Sequence, residues 1–271
     1  MIWFSTEFLA AWGKVVPSMA EMFGITGEVY REPPGANRRT LRFEREGRGF
    51  YLKLHWGVGW REIIKNLTSL RLPVLGARNE WQAIQKLEQL GVETMRLAGY
   101  GHVGLNPAQQ RSFVITEELA GCVSLEDYCC DWPEKPPPFV QKKRLIERVA
   151  EMTRRLHENG VNHRDLYICH FLLQLPWDGQ EEPLHLHLID LHRVQIRIQT
   201  PLRWVVKDVG SLHFSSMEIG LTQRDLLRFL RAYFKRPLRQ ILTDEAAFLK
   251  AVQQRGDALY ATRPLPEEAA E

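Results

Sequence analysis

The residues richest in chemical possibility are His163-Arg164-Asp165 and, 25 positions later, Asp190 within Ile189-Asp190-Leu191. The first triplet sits in the polar stretch VNHRDLYICH after a long amphipathic run, and the second closes a short apolar one. Two carboxylates so placed suit phosphoryl transfer from a nucleotide. That reaction asks little covalent chemistry of a protein. It asks for a group that accepts a hydroxyl proton and for metal-held charge that neutralises the phosphates. A carboxylate on a rigid loop after a helix suits the first task, which makes Asp165 the candidate base. A carboxylate closing a strand hairpin suits the second, which makes Asp190 the candidate magnesium ligand. A His-Arg-Asp triplet alone carries little weight, because it arises by chance in many chains. The helix before it and the apolar-Asp-apolar strand end after it give it meaning. The bland alternative is a charged loop that caps the preceding helix.

Phosphate handling also calls for a strand lysine held by a helical glutamate. Phe50-Tyr51-Leu52-Lys53-Leu54 supplies Lys53 among β-prone residues, and Glu80 opens the helix marked by Trp81, Ile84 and Leu87. Glu62 and Glu88 compete with Glu80 for that role. Val114 to Leu119 reads as a strand running into a segment that joins two lobes. Its backbone around Glu117–Leu119 would hydrogen-bond an adenine. Asp208, in VVKDVG, is placed to anchor the polar loop through hydrogen bonds. His185 and His187 alternate on one strand face, where a solvent-facing edge explains them better than a metal pair. Arg224, Arg228, Arg231 and Lys235 recur at helical spacing as a basic stripe, either a solvated face or a contact for anionic substrate or lipid.

These residues need elements to position them. Glu28–Arg31, Thr40–Arg45 and Gly49–His55 read as strands, the last two joined by the turn EREGRG. Trp60–Leu72 and Arg78–Leu90 have helical spacing, and Gly91 stops the second. Two further strands are expected at Thr94–Tyr100 and Ser112–Glu117. The stiff run WPEKPPPF (Trp132–Phe139) marks a lobe boundary. Leu145, Val149, Met152 and Leu156 line a long helix that ends at Gly160. Short strands LLQL and LHLHLI flank the turn PWDGQEEP, and the last quarter is helical, opened by the capping pair Thr222 and Asp225. The expectation is an α+β chain with a strand-rich N-terminal lobe (1–119), a helical C-terminal lobe carrying the polar loop (120–262) and a frayed tail (263–271).

Composition narrows the class. The chain has 271 residues, 44% hydrophobic and 10% aromatic, enough for a sizeable core and unlike a disordered segment. No apolar run reaches the roughly 18–20 residues needed to span a bilayer. The apolar N-terminus, MIWFSTEFLAAWGKVV, lacks a basic leader and a cleavage site and reads as part of the fold. Four cysteines, two of them adjacent (Cys129, Cys130), without CxxC spacing, fit reduced thiols in the cytoplasm and no structural zinc. A net charge of +3 suits phosphate handling. The basic residues are dispersed and no nucleic-acid motif is present, so no nucleic-acid partner is expected.

The motifs VNHRDLYICHFLL (Val161–Leu173), LPVLGARNEWQAI, ITEELA and IDLHR resemble those of the bacterial lipopolysaccharide core heptose kinases, from about Glu28 to Leu242. The resemblance implies a two-lobed, protein-kinase-like fold. It implies a magnesium- and ATP-dependent kinase at the cytoplasmic face of the inner membrane, phosphorylating a heptose hydroxyl of a lipid-A-anchored core saccharide. By match to the motifs, Asp165 is the base, Asp190 the magnesium ligand and Lys53 the phosphate-binding lysine. An acidic protein partner such as acyl carrier protein also follows from the resemblance. The chain departs from the wider protein-kinase pattern at three places. His170 stands where a magnesium-binding Asn is usual, and a nitrogen ligand suits that hard ion poorly, so it would act through water or orient the loop. No GxGxxG precedes Lys53, only Gly35 in REPPGANRR. Asp190-Leu191-His192 replaces Asp-Phe-Gly. The same residues would serve another small-molecule or sugar kinase, of Kdo or aminoglycoside type. A protein tyrosine kinase fits less well, for want of a peptide-docking activation segment. A catalytically dead binding module is opposed by the retained Asp165, Asp190 and Lys53.

Overall fold

A computed structural model of the protein describes residues 1–31, 37–68, 76–179 and 184–263. Contacts divide the chain into two units. The first comprises Met1–Gln89, Thr94–Ala120 and Asp190–Val194; the second comprises Leu90–Glu93, Gly121–Ile189 and Gln195–Glu271. The divide near 120 is accompanied by an exchange of two short segments, and one of them carries Asp190. The Pro-rich run Trp132–Phe139 is not a boundary. It lies inside the second unit, where Trp132 is buried.

In the first unit the chain forms β1 (Ile2–Phe4), α1 (Thr6–Trp12), α2 (Met19–Phe23), β2 (Glu28–Arg31), β3 (Arg38–Arg45), β4 (Arg48–His55), α3 (Gly59–Thr68), α4 (Arg78–Gln89), β5 (Leu97–Val103) and β6 (Arg111–Glu117). Six strands make one antiparallel sheet in the order β1-β5-β6-β4-β3-β2. The hairpin β3–β4 turns at Glu46-Gly47, both at positive φ. Period-two alternation sends Phe50, Leu52 and Leu54 of β4 into the core, beside Leu41, Phe43, Phe113 and Ile115. The N-terminal segment closes this core: Ser5 caps α1, and Phe8 stacks on Phe4 and meets the Phe50 ring edge-on. The same alternation leaves Tyr51, Lys53 and His55 on the other face of β4, half-buried. The expected helix over Trp60–Leu72 is α3. Residues 69–72, Gly35 and the PWDGQEEP turn beyond Gly179 lie outside the described residues, as does the tail from 264.

The second unit contains β7 (Cys122–Ser124), α5 (Leu125–Tyr128), α6 (Phe139–Glu158), β8 (Val161–Asn162), β9 (Phe171–Gln174), β10 (Leu186–Leu188), β11 (Gln195–Ile196), α7 (Leu202–Ser215), α8 (Gln223–Phe234), α9 (Leu238–Asp244) and α10 (Ala246–Ala261). Its core gathers Ala150 of α6, Val209 of α7, Tyr233 of α8, and Phe248 and Val252 of α10. Thr222 and Asp225 form the capping box that opens α8. Two small antiparallel ladders, β7–β9–β10 and β8–β11, bracket the polar loop 163–170. Gly160 makes the second ladder possible. A Cβ there would meet the Arg197 carbonyl oxygen at 1.8 Å, and its own carbonyl accepts the Arg197 N–H at 2.8 Å.

Candidate active site

In the first unit, β4 fixes Lys53 by pairing it with Thr40 on one side and Val114 on the other. Its Nζ lies 2.6 Å from Glu80 Oε1, and Glu80 is almost wholly buried. The neighbouring helix is placed by packing. Trp81 stacks on Tyr100 at 4.5 Å, and the turn into α4 needs Gly76, where a Cβ would meet Ser112 Oγ at 2.3 Å. Glu80 Oε2 has no hydrogen-bond partner among the described residues. The carboxylate is thus held by one cation in a place where losing that cation would be costly. Glu88, the rival on the same helix, does not make this pair, and the Glu62 side chain lies outside the described residues.

Asp190 belongs to the same unit. It adopts the left-handed conformation (φ 60°), uncommon for a non-glycine residue, and its Oδ1 accepts from His192 Nδ1 at 2.6 Å. Asn79, the residue before Glu80, donates both amide hydrogens to this segment, to the carbonyls of His192 (2.8 Å) and Val194 (2.9 Å). One turn of α4 therefore ties down both Lys53 and the segment that carries Asp190. His55, two residues beyond Lys53, is pushed down to about 4 by burial and by the charges of Lys53, Arg38 and His192.

The end of β6 holds the proposed adenine contacts. The N–H of Glu117 goes to the Arg96 carbonyl and that of Glu118 to the Gly49 carbonyl, both at 2.9 Å. Their side chains are engaged by Arg48 and, through two parallel bonds, by Arg42. These bonds leave the Glu117 carbonyl and the Leu119 N–H as the backbone groups to consider.

The second unit positions Asp165 through its backbone. Asp208, fully buried on α7, accepts the N–H of His163 (2.6 Å) and of Arg164 (2.7 Å), one on each oxygen. This clamp sustains Arg164 at φ 77°, a conformation that costs roughly 1–2 kcal/mol for a residue with a Cβ. Behind it, His157 Nε2 faces Asp208 Oδ2 at 3.4 Å and Nδ1 meets the Tyr233 hydroxyl at 2.7 Å. A carboxylate only accepts, so Nε2 is the donor, and with the ring neutral Tyr233 donates to Nδ1. Burial raises the Tyr233 phenol well above its ordinary value, which keeps that proton in place. The Asp165 carbonyl accepts from His170 Nδ1 (2.7 Å) and from the Tyr167 N–H (3.1 Å). His163 Nε2 donates to the Ile189 carbonyl at 2.9 Å, and the two imidazoles stack.

The sequence by itself assigns no role to Asn79, His157 or Tyr233. Each acts across a long chain separation, so no local spacing announces it. His185 pairs with Glu93 (2.6 Å), which Arg148 also holds. Among the described residues no group of three or more His, Cys, Asp or Glu could hold a metal. Magnesium needs no such cage, since it takes one or two carboxylates together with phosphate oxygens and water. Asp190 offers the right donor. The imidazole nitrogen of His170 suits this hard ion less well than an oxygen, and its Nδ1 hydrogen is engaged by the Asp165 carbonyl.

Comparison with known proteins agrees with this architecture. The profile of the lipopolysaccharide kinase (Kdo/WaaP) family matches residues 21–233. The lipopolysaccharide core heptose(I) kinase WaaP of Pseudomonas aeruginosa is 53% identical over 236 residues, 87% of each chain. Its namesake from Escherichia coli K12 is 51% identical over 253 residues, covering 93% of this chain and 95% of the relative. A solved structure described as WaaP in complex with acyl carrier protein superposes with a TM-score of 0.81 at 45% identity, covering 96% of this chain and 99% of that one. The chain belongs to the lipopolysaccharide kinase (Kdo/WaaP) family and has its protein-kinase-like fold.

Proposed function

We propose that the protein transfers the terminal phosphate of ATP to a hydroxyl of the first heptose of the lipopolysaccharide inner core, with Asp165 as general base. The observation that carries this reading is the pairing of a buried, one-partner Lys53–Glu80 bridge with an Asp165 whose loop is clamped by Asp208. That combination, in a chain about half identical to heptose(I) kinases, supports phosphoryl transfer to a sugar. Lys53 binds phosphate oxygens and Glu80 keeps its ammonium in place. The Glu117 carbonyl and Leu119 N–H receive the adenine edge. Asp165 accepts the proton of the attacking hydroxyl, and His170 holds the Asp165 backbone. Magnesium, when bound, supplies charge neutralisation on the phosphates, and Asp190 is the residue that would hold it.

The acceptor is lipid-anchored, which places the enzyme at the cytoplasmic face of the inner membrane as a peripheral protein. No helix among the described residues is long and apolar enough to cross a membrane. An acyl carrier protein is the proposed protein partner. The structural relative is described in complex with one, and the helical unit contains an apolar cavity of about 420 Å³ lined by Leu145, Val149, Leu212, Leu226, Phe229 and Val252. Such a cavity suits an acyl chain. Arg224 and Arg231 are exposed on α8, which also lines the cavity, Lys235 is exposed just past its end, and all three would meet an acidic partner.

The test is transfer of label from γ-labelled ATP, with magnesium, to core saccharides that do or do not contain the first heptose. The expected result is one phosphate per heptose-containing acceptor and none on the shorter saccharide. Label appearing only on an aminoglycoside or a peptide tyrosine would replace this reading with one of the other kinase classes.

A further inference from the structure

Four cations crowd a single indole in the helical unit, and the phosphoryl-transfer chemistry does not use them as a group. The guanidinium carbons of Arg164, Arg203 and Arg197 lie 5.4, 5.6 and 5.9 Å from the centre of the Trp204 ring, and Lys207 Nζ lies 5.7 Å from it. All four charges thus sit within 5.9 Å of one point. The ring face attracts each of them, but their mutual repulsion opposes the arrangement.

The neighbours of two of these cations leave their charge standing. Arg197 donates to the Asn162 and Gln195 side-chain oxygens, both at 2.7 Å and both neutral. Arg203 is exposed and has no carboxylate at ion-pair distance among the described residues. Burial and the Arg203 charge hold the Arg197 guanidinium below its ordinary value, a sign that its surroundings disfavour positive charge.

The cluster is built by the interactions that fix the candidate base. On α7, helical spacing stacks Arg203 under Lys207 and Trp204 under Asp208. Asp208 binds the N–H of Arg164 and so brings that side chain over Trp204. The Gly160 carbonyl holds the Arg197 N–H. Arg164 directly precedes Asp165. An anion gripped here lies within the span of a short oligosaccharide from a hydroxyl presented to the base.

We propose that Arg164, Arg197, Arg203 and Lys207 form an oxyanion subsite that holds a carboxylate or phosphate of the acceptor saccharide. This rests on the sugar-kinase reading above. Guanidinium forks suit it, because they bind planar oxyanions through two parallel hydrogen bonds. Exposed Leu202 and Ile198 flank the cluster and would suit a membrane surface instead. The partial burial of Arg164 and Arg197 and the link to Asp165 favour the saccharide.

The experiment uses lipid-free core saccharide in two forms, one with its acidic groups intact and one carboxyl-reduced and dephosphorylated. Arg203→Glu should raise KM for the acidic acceptor about tenfold or more, acting on that constant and not on kcat or on KM for ATP. With the neutralised acceptor the wild type should show the same raised KM and the variant no further penalty. Arg239→Glu, an equal charge change on exposed α9, controls for net charge. An equal penalty on both acceptors, or none on either, overturns the proposal. A penalty seen only with lipid-anchored acceptor in anionic vesicles also overturns it, in favour of a membrane contact.

If the wild type phosphorylates no saccharide, the sugar-kinase reading fails, and the subsite is judged by binding alone. Inorganic phosphate is then titrated calorimetrically with the nucleotide site filled by a non-hydrolysable ATP analogue. Binding weakened at least fivefold in Arg203→Glu supports the subsite, and equal binding contradicts it.

Discussion

The two N–H groups before Asp165 converge on one buried carboxylate, and its own carbonyl takes two further hydrogen bonds. Removing Asp208 would strand both N–H groups in the interior, at about 1–3 kcal/mol each. Asp208→Ala should therefore destabilise the protein by roughly 2–5 kcal/mol, measured by denaturant unfolding. At a temperature where it remains folded, transfer should fall while nucleotide affinity is kept. An Asp208→Ala protein as stable as wild type would show that the clamp is not structural. The Lys53–Glu80 pair makes a second case. Lys53→Met leaves Glu80 charged, buried and unpaired, a loss expected to cost about 3–5 kcal/mol. The double variant Lys53→Met/Glu80→Met should recover much of that stability but none of the transfer activity. Recovery of transfer would deny Lys53 its role with phosphate.

At the scale of elements, each unit has one helix that organises its chemistry. In the first it is α4, with Asn79 on the Asp190 segment and Glu80 on Lys53. Asn79→Ala removes two hydrogen bonds and should lower affinity for magnesium-nucleotide more than for free nucleotide, measured by calorimetry with and without the ion. Equal losses would uncouple Asn79 from the Asp190 segment. In the second unit it is α7, which carries Asp208. The strand pattern around Lys53 and the helix opened by Glu80 were legible, because alternation and helical spacing are local signals. The β-strand at Ile2–Phe4 was not legible, since three residues make no period and its pairing with β5 is remote in sequence. The Pro-rich run Trp132–Phe139 misled as a boundary. Stiffness and polarity mark a loop but cannot say which contacts cross it, and Trp132 packs inside the helical unit. The basic stripe on α8 is thinner than its spacing suggested. Arg228 pairs with Asp225 at 2.5 Å and lies over Phe139, which leaves Arg224, Arg231 and Lys235 exposed.

At the scale of the molecule, acid should act in two stages. His55 titrates at about 4 in the folded chain against about 6.5 unfolded. A depressed histidine contributes stability that is fully present above the unfolded value. That stability declines as pH falls below about 6.5 and is gone below about 4, because the unfolded chain binds the proton first. Glu93 and Asp225, held below their ordinary values against the opposing effect of burial by His185 and Arg148 and by Thr222 and Lys142, lose their contributions at lower pH still. His55→Gln should flatten the stability profile between pH 6.5 and 4 and leave the more acidic limb in place, as read from urea midpoints. An unchanged profile would assign the first stage elsewhere. The direct test of the whole account is mass spectrometry of a heptose-containing core saccharide after incubation with magnesium-ATP and either wild type or Asp165→Asn. The account predicts one phosphate on the first heptose with wild type. With Asp165→Asn it predicts a rate lower by about 10²–10⁴, the usual cost of losing a general base, while nucleotide binding is retained. Near wild-type transfer by Asp165→Asn, or a wild-type product without phosphate on that heptose, would contradict it.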